Sequence, residues 1–477
     1  MFIGRSKELK ELRMLTEKKT SSLVSIMGRR RIGKSTLISE FGKHFKSFIS
    51  IQGLGPDLKA GKTDQLKHFA EELSIHFNSK KEHFESWNEA FQALAEKTKN
   101  GKTLILLDEI SWMSQDDPLF AVQLKDAWDT KFKKNNKLVM VLCGSVSSWI
   151  EDNILKNTSF EGRISLQLQI EELSIKEIKE FWKQNNFSTS TFEAIQILSV
   201  TGGVPKYLEE ILKSQTAEQN LIRMCFNKSG ILFSEFDKIF IQIFKRHSES
   251  LERIVRLCLN EKLSPSELAI KLKRSQDSHL TKLIHILEIS GFISRDYYFN
   301  PDGSPSKLSH LRLKDNYLRF YLNYIEPKKN YILKGGKVIQ SLSELKNWNS
   351  IVGLQFENLL LQNRDLILKH LDLNNTQIIS MAPYFQRKKT TNKGACQIDL
   401  LIHTNLNVFY ICEFKCRKEI DSSVITEVQK KTAVIQLPRR SAIKTVLIYE
   451  GEMSNKTKDS CEDYFHKMIS FDDLINN

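Results

Sequence analysis

Apolar positions along this chain change rhythm several times. Leu23-Val24-Ser25-Ile26-Met27, Leu104-Ile105-Leu106-Leu107 and Leu138-Val139-Met140-Val141-Leu142 are short, nearly unbroken apolar runs. Such runs fit strands covered on both faces, as in a parallel sheet. Helical spacing lies between them, so residues 1–168 read as an α/β layer. Residues 169–240 are mostly helical in pattern. In 241–326, short helical patterns lead to a hairpin-like stretch around Asn300-Pro301-Asp302-Gly303. A lysine-containing connector fills 327–344. Residues 345–477 return to a helix–strand–strand–helix–strand order. The 477 residues suffice for several domains, and no internal repeat or low-complexity tract interrupts them.

Composition removes some function classes. With 40% hydrophobic and 27% charged residues the chain suits a globular protein, and it has no run of 18 apolar residues to span a membrane. Met1-Phe2-Ile3-Gly4-Arg5 lacks the basic-then-apolar layout of a signal peptide, so a cytoplasmic location is expected. The seven cysteines are scattered, and Cys412 and Cys416 have no second Cys/His pair beside them; free thiols are expected rather than zinc ligands. The net charge of +14 and pI near 9.2 favour an anionic partner, with DNA as the expected form. That charge is spread along the chain, with short clusters at Arg29-Arg30-Arg31 and Arg387-Lys388-Lys389.

Gly28-Arg29-Arg30-Arg31-Ile32-Gly33-Lys34-Ser35 fits G-x-x-x-x-G-K-[ST] between a strand and a helical stretch from Ser35 to Phe45. In that context backbone N–H groups from Gly28 through Arg31, Ile32 and Gly33 turn inward on phosphates, and the helix start at Ser35 and Thr36 adds partial positive charge. Lys34 can reach the β/γ-phosphates, and the Ser35 hydroxyl can ligate Mg²⁺. Downstream, the 104–107 strand delivers Asp108, for the Mg²⁺ shell, and Glu109, to orient and deprotonate the attacking water. ATP and Mg²⁺ are therefore the expected cofactors. Ser145, at the tip of the third strand, is a candidate for contact with the γ-phosphate or its water. Arg163, in Phe160-Glu161-Gly162-Arg163, is a candidate arginine finger, in cis or from a neighbouring subunit of a homo-oligomer.

These residues bear a family resemblance. Phe2-Ile3-Gly4-Arg5-Ser6-Lys7-Glu8-Leu9 resembles the F-x-G-R-x-x-E-L start of the archaeal-type ATPases, relatives of AAA+ and STAND proteins. Asp108-Glu109, Trp128-Asp129, Gly144-Ser145, Phe160 to Arg163 and Gly202-Gly203-Val204-Pro205 follow in that family's order. The resemblance implies an ASCE/AAA+-like P-loop sheet, a helical lid over the nucleotide, and Arg5 and Pro205 near the adenine or ribose.

Ser264-Pro265-Ser266-Glu267 reads as a capped helix start. A second helix, from Asp277 to Ser290, aligns Leu280, Leu283, Ile284 and Leu287 and stops at Gly291. With Phe292 to Arg295 and Leu311 to Leu313 as a wing, this is the order of a winged helix. Its second helix is expected to expose His279, Lys282 and His285 to a major groove, with Gln276 just before it. Leu313-Lys314-Asp315-Asn316-Tyr317 looks like the family segment that closes this domain.

Near the C-terminus two apolar strands, 397–402 and 408–415, flank an Asn-rich turn. If Thr404 pairs with Val408, Asp399 falls opposite Glu413, about 5 Å away at Cβ. Two carboxylates so placed repel unless a cation joins them; Lys415 shares their face. This resembles the PD-(D/E)xK nuclease core: Asp399, then Glu413-Phe414-Lys415, with Ile398 where proline often stands. In it Glu357 matches an extra acidic residue on a preceding helix and Gln429 a helical glutamine. The resemblance implies Mg²⁺ held by Asp399, Glu413 and Glu357, beside Lys415. The expected protein is an ATPase with a helical lid, a winged helix and a restriction-endonuclease-like α/β domain, governing and cutting DNA; its rival is a STAND-like switch with an inert C-terminal domain.

Overall fold

The computed structural model describes residues 2–55, 60–114, 117–145, 147–244, 248–300, 302–336, 339–374, 377–386 and 394–476. β1 (Ser22–Met27), β2 (Ser47–Gln52), β3 (Thr103–Asp108), β4 (Leu138–Gly144) and β5 (Ile164–Gln169) form one sheet in the order β2-β3-β4-β1-β5. All its pairings are parallel. β1, β3 and β4 are the three apolar runs of the sequence, each buried along its whole length. β2 and β5 are the edge strands. They expose several positions and so carry no continuous apolar run. β4 lies between β1 and β3, which brings its tip to the two strands that carry Gly28 and Asp108. Helix α1 (Lys34–Gly42) leaves the loop after β1.

Helices Ile175–Gln184, Thr191–Thr201, Ala217–Phe226 and Glu235–Phe244 make up most of the next segment. Two open with capping boxes, Ser174 with Glu177 and Thr216 with Gln219. A third box, Ser264 with Glu267, starts Pro265–Lys271 as its sequence promised. Asp277 caps α3 (Ser278–Ile289), and Gly291, at φ 78°, turns the chain out of it. The antiparallel pair β6 (Ile293–Phe299) and β7 (Pro305–Leu313) follows, and Leu263 bridges to Leu311.

The connector is folded rather than extended. Lys329–Leu333 is helical, Ile332 and Leu342 are buried, and Lys329 Nζ sits 2.7 Å from Asp237.

β8 (Ile378–Gln386), β9 (Cys396–Thr404), β10 (Val408–Glu419), β11 (Ala442–Glu452) and β12 (Lys467–Ser470) form the last sheet, in the order β12-β11-β10-β9-β8. β8 and β10 run antiparallel to β9, whereas β10, β11 and β12 are mutually parallel. Phe409 pairs with His403, and the same register runs to Cys412 opposite Leu400. That is the register read from the Asn-rich turn. Helix α4 (Trp348–Gln362) precedes this sheet, and α5 (Ser423–Val434) joins β10 to β11.

One apolar cluster runs through all these parts, including Leu12, Leu198, Leu283, Leu360 and Leu474. Polar contacts pin α4 inside it. Gln355 Nε2 donates to the carbonyls of Ser199 (3.2 Å) and Asn316 (3.0 Å), and Asn358 Nδ2 donates to that of Leu313 (3.1 Å). Each adds a donor to a buried backbone carbonyl.

Candidate nucleotide site and carboxylate cluster

The loop after β1 needs backbone that few side chains tolerate. Gly28, Arg31 and Gly33 all have positive φ, at 149°, 68° and 88°. A Cβ on Gly28 would lie 2.5 Å from the Ile170 carbonyl oxygen, so only glycine fits. Lys34 is buried and donates to the carbonyls of Gly28 (2.9 Å) and Arg29 (3.0 Å), arching over the loop. Ser35 and Thr36 are exposed in the first turn of α1. Ser35 Oγ donates to Asp108 Oδ2 at 2.6 Å, so the two oxygen donors expected around Mg²⁺ already touch.

Glu109 sits at φ 49°, a left-handed conformation that is strained for glutamate. Its Oε2 accepts from Ser145 Oγ at 2.7 Å and from the Ser145 N–H at 3.1 Å. Ser145 thus meets the site through Glu109. Pro205 lies over the loop, its Cγ 3.9 Å from where a Gly33 Cβ would be. Arg5 donates to the carbonyls of Ile32 (3.1 Å) and Glu171 (2.6 Å), bracing the loop from below. Ile32 is buried, and Arg31 Nε pairs with Glu235 at 2.9 Å.

The sequence offered no sign of Arg29's role. Its buried guanidinium pairs with Asp315 (2.5 Å) and Glu172 (3.2 Å) and lies over the Tyr207 and Phe292 rings. Burial alone would lower its pKa, but Asp315, Tyr207 and Glu172 hold it above the ordinary value. The phosphate loop is thereby fastened to the helical segment after β5 and to the segment after β7.

In the last sheet Asp399, Glu413, Lys415 and Glu357 line one cavity of about 1070 Å³, together with Glu427 and Lys431. Asp399 Oδ2 accepts the Phe414 N–H at 2.8 Å. Burial, and next the charges of Glu413 and Glu357, raise its pKa to about 7. Glu413 is buried between two lysines, Lys415 at 2.9 Å and Lys431 at 2.6 Å. Lys415 also pairs with Glu427 at 2.6 Å, and Glu357 pairs with Lys262 at 2.6 Å. Burial pulls the Lys415 pKa down, but Glu413 and Glu427 outweigh it and hold it above normal. Among the described residues no three His, Cys, Asp or Glu side chains gather closely enough to form a metal site.

Residues 2–211 match the family model described as an ATPase domain predominantly from Archaea. Over those residues the chain is similar to archaeal-type ATPase domains. An uncharacterised protein of Methanocaldococcus jannaschii, MJECL04, is 25% identical over 364 residues, spanning 75% of this chain and 76% of its own. Among solved structures, the Walker-type ATPase PABY2304 of Pyrococcus abyssi aligns with TM-score 0.47 and 16% identity, over 67% of this chain and 96% of its own. The Aeropyrum pernix ORC2 protein, in ADPNP–ADP complexes, aligns with TM-score 0.42 and 14% identity, over 69% and 94%.

Three sequence expectations need correction. Arg163 precedes β5, whose Ile164 pairs with Leu23 at the start of β1, whereas the phosphate loop of the ATPase domain follows the end of β1. Five residues of strand separate them, roughly 16 Å, so Arg163 is no finger in cis. Its guanidinium instead grips Asp129, with Nε 2.9 and 3.0 Å from the two carboxylate oxygens. Gln429 is exposed on α5, and the side chains of that helix that reach the cavity are Glu427 and Lys431, one turn apart. The α3 face expected to be exposed is so only in part: His279 and Lys282 are exposed, but His285 bonds Glu151 and Lys282 also pairs with Asp152. Of the carboxylates expected to hold Mg²⁺, Glu413 pairs with Lys431 and Glu357 with Lys262. All seven cysteines are free, and no helix among the described residues is long and apolar enough to cross a membrane. The Arg387-Lys388-Lys389 cluster lies outside the described residues.

Proposed function

We propose that this chain is an ATP-hydrolysing switch that controls nucleic-acid engagement, and that its C-terminal carboxylates cut DNA with Mg²⁺. The observation that carries the ATPase half is the paired arrangement at the strand tips: Ser35 on Asp108 at 2.6 Å and Ser145 on Glu109 at 2.7 Å. Ser35 and Asp108 are hard oxygen donors of the kind Mg²⁺ selects. Bound there, the ion supplies neutralisation of the phosphate charge. Lys34 turns from the Gly28 and Arg29 carbonyls to the β/γ-phosphates. The Glu109 carboxylate leaves Ser145, orients a water and accepts its proton. Pro205 and Arg31, on either side of the loop, fit a lid that closes over the nucleotide. Arg163 would act on a neighbouring subunit's nucleotide after release from Asp129.

The DNA half rests on the basic charge, the winged-helix order of residues 248–313, and the shared cavity of Asp399, Glu413, Glu357 and Lys415. Those carboxylates have the donor chemistry of a Mg²⁺ site. Lys415 would stabilise charge developing on the attacked phosphate.

A second reading has its own support. Lys415 and Lys431 neutralise Glu413, and Lys262 neutralises Glu357. A fold balanced in this way suits a STAND-like switch with an inert C-terminal domain. Plasmid, linear and single-stranded DNA, incubated with the protein with and without ATP and Mg²⁺, separates the two. Cutting that disappears in Asp399→Ala, Glu413→Ala and Lys415→Ala, with ATP hydrolysis intact, is the expected result. No cutting under any condition, with DNA binding retained, would favour the second reading.

A further inference from the structure

Helix α3 is two-faced. Leu280, Leu283, Ile284 and Leu287 are buried, while Lys282 and His285 point the other way. Those two positions meet a carboxylate each. His285 Nε2 lies 2.8 and 2.7 Å from the two oxygens of Glu151, and Lys282 Nζ lies 3.2 Å from Asp152 Oδ2. Lys156 Nζ also reaches Glu151, at 2.8 Å. Glu151 and Asp152 belong to a π-helical turn, Glu151–Leu155, of the ATPase domain. Carboxylate oxygens held on basic side chains of a helix take the positions phosphate oxygens would take.

We propose that the Lys282–His285 face of α3 is a docking surface for a nucleic-acid backbone, and that Glu151 and Asp152 cover it until the turn that carries them moves. This rests on the nucleic-acid reading above and adds to it which surface binds and what blocks it. Glu151, held by His285 and Lys156, is the firmer half of the cover at 16% exposed; the outer half is weak, with the Lys282 side chain 62% exposed and that of Asp152 43%. Ion pairs this exposed contribute little to stability, so a phosphate backbone can displace them. By contrast, the Arg29–Asp315 pair between the same two parts of the chain is wholly buried and holds them together.

The cover is also mechanically close to the nucleotide. The turn follows directly on α2 (Ser147–Ile150), and Ile150 is buried. A Cβ on Gly144 would lie 3.2 Å from Ile150 Cδ1 and 3.9 Å from Ile110 Cγ2. Gly144 precedes Ser145, and Ile110 follows Glu109. The base of the cover therefore packs on Gly144, the residue before Ser145, beside Ile110, the residue after Glu109. When Glu109 turns to a bound nucleotide, the packing under Ile150 changes, and Glu151 moves with it.

The test is fluorescence anisotropy of labelled duplex DNA with the full chain. Glu151→Gln/Asp152→Asn keeps side-chain size and removes the covering charge. It is expected to bind roughly tenfold tighter at low salt, with a salt slope steeper by about 2 as two more phosphates are contacted. Adding Lys282→Ala/His285→Ala should cancel the gain, and amide exchange in residues 278–289 should quicken when the cover is removed. With Glu109→Gln, which holds ATP, addition of ATP should tighten binding; in the uncovered variant it should change nothing. If wild-type protein binds DNA and the uncovered variant binds no tighter, the cover is refuted and the nucleic-acid reading stands. If neither binds DNA at any salt, the nucleic-acid reading fails first. Equal affinity with and without ATP in both backgrounds refutes the nucleotide link.

Discussion

Arg29 and Lys34 sit five residues apart in one loop and do different work. Lys34, donating to two loop carbonyls, holds the charge that ATP would take up. Lys34→Ala should abolish ATP binding in calorimetric titration, because no other side chain delivers that charge; retained affinity would remove Lys34 from the site. Arg29 is structural. Its removal leaves Asp315 and Glu172 buried and facing each other's charge. Arg29→Ala should therefore destabilise the protein by about 3 kcal/mol or more in chemical denaturation. A change within about 0.5 kcal/mol would mean that the pair is dispensable. Lys34 was legible in the sequence because the phosphate-loop chemistry is local. Arg29 was not, because its partners arrive from the segments after β5 and after β7. Lys431 escaped for the same reason: only the packing of α5 on β10 brings it to Glu413.

At the scale of elements, apolar runs disclosed the central strands β1, β3 and β4, and turn chemistry disclosed the β9–β10 register. Edge strands β2, β5, β8 and β12 were invisible to that test, since half-exposed strands carry mixed patterns. The order of elements also decides what Arg163 can reach. Motif order suggested a finger, but strand direction puts it at the far end of the sheet, clamped by Asp129. The hydrogen bond from Arg163, ahead of the opposing effect of burial, holds the Asp129 carboxyl well below its ordinary value of 3.8. A carboxyl with a lowered folded pKa stabilises fully above the unfolded value and loses that stabilisation as pH falls below it. Arg163→Ala should thus lower Tm by about one degree at pH 7, with the difference shrinking below about pH 3.8. A difference that persists undiminished in acid would mean the ion pair is not its source. The same scale explains the α3 error. Helical spacing correctly separated its buried and polar faces, but no spacing rule reports that another domain has docked on the polar one.

Across the whole molecule, α4 is the common member. Its Gln355 and Asn358 bond the segment after β7, which Asp315 fastens to Arg29, while its Glu357 lines the carboxylate cavity. The nucleotide loop and the C-terminal cavity are thus joined through one helix and one buried ion pair. DNA affinity should fall steeply with salt, since Lys and Arg contacts to phosphates release counterions; binding that stays flat from 50 to 200 mM salt, a range over which about 10³-fold or more is lost by proteins with many phosphate contacts, would take nucleic acid off the partner list. The ATPase domain remains the firmest part of the account, and Glu109 its most exposed claim. ATP binding and hydrolysis should be measured side by side for wild type and Glu109→Gln. The amide keeps the shape and a hydrogen bond to Ser145 but cannot accept the water's proton. The account predicts unchanged ATP affinity with hydrolysis slowed about 100-fold or more; hydrolysis at the wild-type rate would contradict it.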